Sequence, residues 1–173
     1  MTLEQWLDQW TRKSVDVQER VQVALQFLQR HYGKTRSEKI LGEIRCIDFS
    51  HPVSTPTLAR GITLVGSKDP RVSPYRSTYF TRSGYPVSRL GVSSSGNLFT
   101  RKDAPKRYEN LRILDKVLNC YEIVVAIPEG EVLQSVCAPA ADTWSIKDAK
   151  VLAAGGGLQY LIPRMNLYLR YVG

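Results

Sequence analysis

The sequence predicts an α+β fold in which helices come first and a β-rich body follows. Apolar residues recur at helical spacing before Ile47, and the pattern then changes. From Ile47 onward, glycine, proline and serine punctuate short β-prone runs. The most β-prone of these, Tyr121-Glu122-Ile123-Val124-Val125-Ala126-Ile127, is closed by Pro128-Glu129-Gly130. The chain thus divides into an N-terminal helical segment, 1–46, and a core, 47–173. At 173 residues and 43% hydrophobic content, it can bury a substantial core.

Each element has its own signal. Leu3, Trp6, Leu7 and Trp10 make a short amphipathic helix, with the tryptophans as core or docking residues. Ser14 caps a second helix whose stripe is Val17, Val21, Ala24, Leu25 and Leu28, and Gly33 stops it. Ser37 opens a third through Ile40, Leu41 and Ile44. Ile47 to Val53 is a turn-prone connection. Strands are expected at Ile62–Val65, Ser77–Thr81, Tyr121–Ile127, Val132–Val136, Gln159–Ile162 and Leu167–Val172, with a short helix over Asn110–Val117. The ladders should be mostly antiparallel.

Charge narrows the partners. Lys and Arg number 24 against 16 Asp and Glu, a net charge of +8. Arg71, Arg76, Arg101, Lys102, Lys106 and Arg107 lie among Tyr75, Tyr79, Phe80, Tyr85 and Tyr108. Basic residues interleaved with aromatics suit phosphate neutralisation and base stacking, or a dinucleotide pocket; a plain solvated surface is the other reading. No apolar run approaches the ~20 residues of a membrane span. The N-terminus lacks the basic start and apolar core of a signal peptide, so the chain is expected to be soluble. Three scattered cysteines and two histidines offer no metal-ligand spacing, and no metal site is expected. Cys46 and Cys120, beside apolar residues, are expected to be buried thiols. Glu129 and Glu131 flank a turn and should be solvated, and Trp144 should anchor the core.

The candidate site is Ala154-Gly155-Gly156-Gly157-Leu158-Gln159-Tyr160. Gly155, Gly156 and Gly157 let the backbone bend sharply or lie close to a ligand, and Gln159 is the first polar side chain after them. A flexible loop before a strand is the plainer reading.

With Ile47-Asp48-Phe49-Ser50-His51-Pro52-Val53, Thr78-Tyr79-Phe80-Thr81, Pro86 to Val92, Leu133 to Pro139 and Asp142-Thr143-Trp144-Ser145, this piece forms an ordered set. The set resembles C-terminal toxin domains of bacterial Rhs and contact-dependent inhibition proteins. The Gly-Gly-Gly-x-Gln-Tyr piece is also similar to necrotizing-toxin NAD glycohydrolases. Both resemblances imply a split β-core of ADP-ribosyltransferase-like architecture with NAD as substrate in a cleft. They imply Gln159, Ser77 and Tyr79 as catalytic residues. Thr78, Phe80, Tyr85, Gly155, Gly156 and Gly157 would line the cofactor, and Arg60, Arg71 or Arg76 would hold the diphosphate. Transferases of this fold usually carry Glu where Gln159 falls, whereas Gln is typical of the glycohydrolases.

The expected function is therefore a bacterial toxin that cleaves the nicotinamide–ribose bond. Charge favours transfer of ADP-ribose to a nucleic-acid target such as structured RNA. The alternatives are an NAD glycohydrolase that depletes the cofactor and a non-enzymatic basic RNA-binding module. A cognate immunity protein is implied, as is delivery by a specialised secretion system into the target-cell cytoplasm.

Overall fold

The computed structural model describes residues 1–66, 79–82, 119–138, 140–142, 151–153 and 156–173. Helix α1 (Leu3–Asp8) begins in a capping box: Gln5 N–H donates to Thr2 Oγ1, and Thr2 N–H donates to Gln5 Oε1. Helix α2 (Val15–Tyr32) is capped by Ser14, whose hydroxyl accepts from Val17 N–H, and ends at Gly33 with φ 94°. That left-handed angle is why glycine terminates it. Helix α3 (Ser37–Ile44) follows.

Among the described residues, eight strands come after the helices: β1 (Thr63–Gly66), β2 (Tyr79–Arg82), β3 (Asn119–Ile123), β4 (Leu133–Val136), β5 (Ala140–Asp142), β6 (Val151–Ala153), β7 (Leu158–Leu161) and β8 (Leu169–Tyr171). Six form one sheet, ordered β4-β7-β2-β1-β3-β8, and β5 pairs with β6 separately. All these ladders are antiparallel.

Helices and sheet share a core. Val21, Ala24, Leu25, Leu28, Ile40 and Ile44 pack with Leu133 of β4 and Leu161 of β7. A second core holds Leu64, Tyr121, Ile123, Val132, Tyr160, Ile162 and Tyr168. Side chains alternate along a strand, so consecutive residues of β7 feed different cores. Trp6, Trp10 and Phe49 stack with ring centroids 5.3–5.9 Å apart, seating α1 against the segment after α3. That segment also shields β4: Asp48 N–H donates to Val136 C=O, and Ser54 bridges Gln134.

Several expectations change on contact with the structure. The run Tyr121–Ile127 leaves the sheet after Ile123, because Val124 and Val125 N–H turn to the Tyr168 carbonyl and Ile127 bridges Leu58. Leu167 lies in a 3-10 turn (Met165–Leu167), and the last strand starts only at Leu169. The β5–β6 hairpin had no predicted counterpart. Of the cysteines, only Cys137 is buried; Cys46 and Cys120 are half-buried, and all three are free thiols. The expected Asn110–Val117 helix and Trp144 lie outside the described residues.

Glu131 is the main correction. Glu129 is exposed as expected, but Glu131 is 4% exposed. Its carboxylate accepts from Tyr168 Oη at 2.7 Å and from the Arg164 guanidinium, with His31 Nε2 at 3.6 Å. His31 Nε2 also lies 2.8 Å from the Gly130 carbonyl, which requires an N–H on that nitrogen. The cluster thus ties the end of α2 to the turn before β4 and to the approach to β8. Glycine suits position 130 through its φ of 86°; a Cβ there would meet only the end of the Arg30 side chain, which can move aside.

Burial opposes the charge of Glu131, but the hydrogen bonds from Tyr168 and Arg164 and the nearby cations outweigh it, holding its pKa below the ordinary 4.5. The stability this contributes is present above the ordinary value and is lost as pH falls through the lowered one. Glu131→Gln should therefore cost about 1–3 kcal/mol at pH 7. Urea denaturation at pH 7 and pH 3 should show the gap from wild type closing in acid.

Candidate functional site

Gln159 is the second residue of β7, directly opposite Ser135 of β4 in the ladder. It shares a face with Leu161, two residues on, so its side chain turns toward the helical layer rather than toward the second core. Nε2 donates to Ser135 Oγ at 3.0 Å and to the Cys46 carbonyl, just past α3, at 3.2 Å. Gln159 is 2% exposed and Ser135 fully buried. Oε1 is buried and has no hydrogen-bond partner among the described residues. A buried amide oxygen without a donor is costly, and such atoms are uncommon in folded proteins. Gln159 is held inside the fold: its two N–H groups are used, and its acceptor is left over.

The glycines before it form a small ladder with Cys137. Gly156 N–H donates to the Cys137 carbonyl at 2.8 Å, and Cys137 N–H to the Gly157 carbonyl at 2.9 Å. Cys137 bridges Ile47 on its other side, so the glycine turn, the end of β4 and the exit from α3 are sewn together. Gly156 has φ 84°, and a Cβ built on it meets nothing within 4 Å. Backbone angle, not crowding, demands glycine there.

The other expected site residues fall unevenly. Tyr79 and Phe80 are in β2, the strand beside β7, paired in register with Leu161 and Tyr160. Arg60 is exposed in the turn before β1; the register places that turn at the same end of the sheet as the glycine turn, with β2 between β1 and β7. Ser77, Thr78, Arg71, Arg76, Tyr85 and Gly155 lie outside the described residues, as does most of the basic, aromatic stretch. Among the described residues, no group of His, Cys, Asp and Glu could hold a metal ion, and no helix is long and apolar enough to cross a membrane. A groove of about 630 Å³ lies along α1 and α2, lined by Leu7, Trp10, Val15, Gln22 and Gln26 among others, and contains none of the expected site residues.

Sequence reasoning missed Ser135 and the Cys46 carbonyl. The signal available for Ser135 was a polar residue two places after Leu133 on a face otherwise apolar; a backbone carbonyl carries no sequence signal.

Helices packed on one face of an antiparallel sheet define an α+β domain, and this fold is shared with a solved structure. The chain has the fold of Tse6 as solved in complex with Tsi6, with a TM-score of 0.58 over 92% of this chain and 98% of that one at 20% identity. The family model of Bacterial toxin 46 matches residues 12–168, and the chain belongs to that family. It is also similar to the NAD(P)(+) glycohydrolase toxin Tse6 of Pseudomonas aeruginosa, 34% identical over 113 residues. That match takes in 65% of this chain and 23% of the relative, so the chain spans less than a quarter of the relative's length.

The glycine turn yields its own test. Gly156→Val should lose about 1–3 kcal/mol through the backbone angle. Gly156→Asn should lose less, because asparagine tolerates left-handed angles and the space is open. Equal losses in thermal denaturation would mean that crowding, not φ, demands glycine.

Proposed function

We propose that this chain is a toxin domain that hydrolyses the nicotinamide–ribose bond of NAD, or of NADP, with water as acceptor. The observation that carries the reading is the 34% identity to a glycohydrolase toxin across 113 residues. The buried, unpartnered Oε1 of Gln159 supports it independently. Cleavage of this bond develops positive charge on the ribose. An oriented amide oxygen can accept a hydrogen bond from a ribose hydroxyl and turn its negative end toward that charge.

In this reading the two sheets form the split core of an ADP-ribosyltransferase-like architecture. Reaching a side chain 2% exposed requires the packing over it to open as NAD binds. Tyr79 and Phe80, on the strand next to Gln159, would support the nicotinamide end, with Ser77 and Thr78 preceding them. An arginine among Arg60, Arg71 and Arg76 would take the diphosphate, and Tyr85 would stack on the cofactor. The similar toxin was solved with a bound protein, Tsi6. That supports a cognate immunity protein for this chain, and with it delivery into competing cells. Transfer of ADP-ribose to a nucleic acid keeps one support, the net charge of +8.

Incubation with labelled NAD and a cell lysate separates these outcomes. Free ADP-ribose and nicotinamide are expected. Label on RNA or protein would establish transfer instead, and intact NAD with folded protein would refute both. Gln159→Ala should lower turnover by about 10²–10³. It should also cost about 1–3 kcal/mol of stability, since two buried hydrogen bonds are lost. Rates must therefore be taken on protein shown folded by near-UV circular dichroism.

A further inference from the structure

We propose that the backbone at the exit from α3 demands a hydrogen-bond donor at position 159, so that the site offers its ligand a neutral acceptor and excludes a carboxylate. The inference rests on the reading that Gln159 acts on the ribose. Glutamine and glutamate share a shape and differ in what their last atoms can do. The amide brings one acceptor and two N–H donors, whereas the carboxylate brings acceptors alone.

The deciding neighbour is the Cys46 carbonyl, 3.2 Å from Gln159 Nε2, which can only accept. It is held in place. Ala138 N–H donates to the same oxygen at 3.0 Å, and two residues on, Asp48 N–H donates to the Val136 carbonyl at 2.9 Å. These bonds flank the Ile47–Cys137 bridge on both sides. Ser135 Oγ, 3.0 Å from Nε2, is no such filter, because a hydroxyl can donate as well as accept. The titratable groups on the neighbouring elements face other partners. The Cys46 and Cys137 thiols donate to the Gly42 and Ala138 carbonyls, Glu43 of α3 pairs with Lys39, and Asp48 accepts from Ser50 beside His51.

A carboxylate at 159 would set an anionic oxygen against the Cys46 carbonyl oxygen at a position 2% exposed. Burial and the facing carbonyl dipole both oppose the charge, so a carboxyl there keeps its proton well above the usual carboxylate range. In that neutral form its O–H replaces the amide N–H toward Cys46, and its other oxygen stays an acceptor. The ligand group that residue 159 meets is therefore a hydroxyl or an N–H, as on a ribose. A change at 159 alone cannot make this an anionic site; the exit from α3 would have to move with it.

The test compares Gln159→Glu with wild type at each pH, so that other titrations cancel. The ratio of variant to wild-type kcat for NAD cleavage should fall about tenfold or more between about pH 5 and pH 9, as the proton is lost. Urea denaturation reads the same proton without activity. A carboxyl whose pKa is raised by folding contributes stability that is lost as pH rises, so the variant's midpoint should fall away from wild type above about pH 4.3. Should Gln159→Glu not fold at any pH, Gln159→Met, of similar length and without charge, should still fold.

A kcat ratio that stays constant or rises with pH overturns the proposal, as does a midpoint gap that does not widen. Failure of both Gln159→Glu and Gln159→Met to fold also overturns it, because charge would then not be what the seat rejects. If wild type leaves NAD intact, or Gln159→Ala keeps wild-type kcat, the reading of Gln159 as the group acting on the ribose falls. The urea measurement then still decides whether the backbone demands a donor.

Discussion

Strand β7 is buried on both faces, and this constraint governs everything near the site. Leu161 feeds the core under the helices, while Tyr160 and Ile162 feed the core on the other side. A strand enclosed in this way has no solvent to satisfy a polar side chain, so each polar atom on it must find a partner in the protein or remain unpaired. Gln159 does both at once. Its nitrogen is satisfied by groups from two separate elements, and its oxygen is not satisfied at all. The same enclosure that makes the orphan oxygen costly makes it electrostatically strong, because a low-dielectric surrounding leaves its dipole unscreened.

Glu131 is a charged version of the same problem. It is also buried: its Oε1 accepts from Tyr168 and Arg164, while its Oε2 makes no hydrogen bond and has His31 Nε2 at 3.6 Å. These partners come from the end of α2 and from the approach to β8, so one carboxylate pins three distant parts of the chain. Such a cluster holds the helical layer in place over the sheet. In turn, the Cys46 carbonyl at the foot of that layer keeps its station beside Gln159.

Much of this was legible in the residues. The three helices follow from their apolar stripes, and the cap and stop of α2 from Ser14 and Gly33, because helix signals are local. Gln159 drew notice through the glycines before it, and glycine at 156 is accounted for by its backbone angle. What stayed hidden depends on pairing. That Ser135 faces Gln159 follows only from the β4–β7 register, and that Glu131 is buried follows only from where Tyr168 and His31 arrive. Two solvated glutamates flanking a turn and one buried glutamate look identical in a local window. The run from Tyr121 to Ile127 misled for a related reason: β-branched residues favour a strand locally, yet Val125 lies in an exposed bend, with the N–H groups of Val124 and Val125 both turned to the Tyr168 carbonyl.

The bond from Gln159 to the Cys46 carbonyl joins residues 113 positions apart. Contacts of such long range form late in folding, after most loop-closure entropy has been lost. Strand β7 lies between β4 and β2, so the sheet has to close around it before the amide meets both of its partners. The helices can form from local signals alone, whereas the seat of the amide exists only when the exit from α3, β4 and β7 have come together.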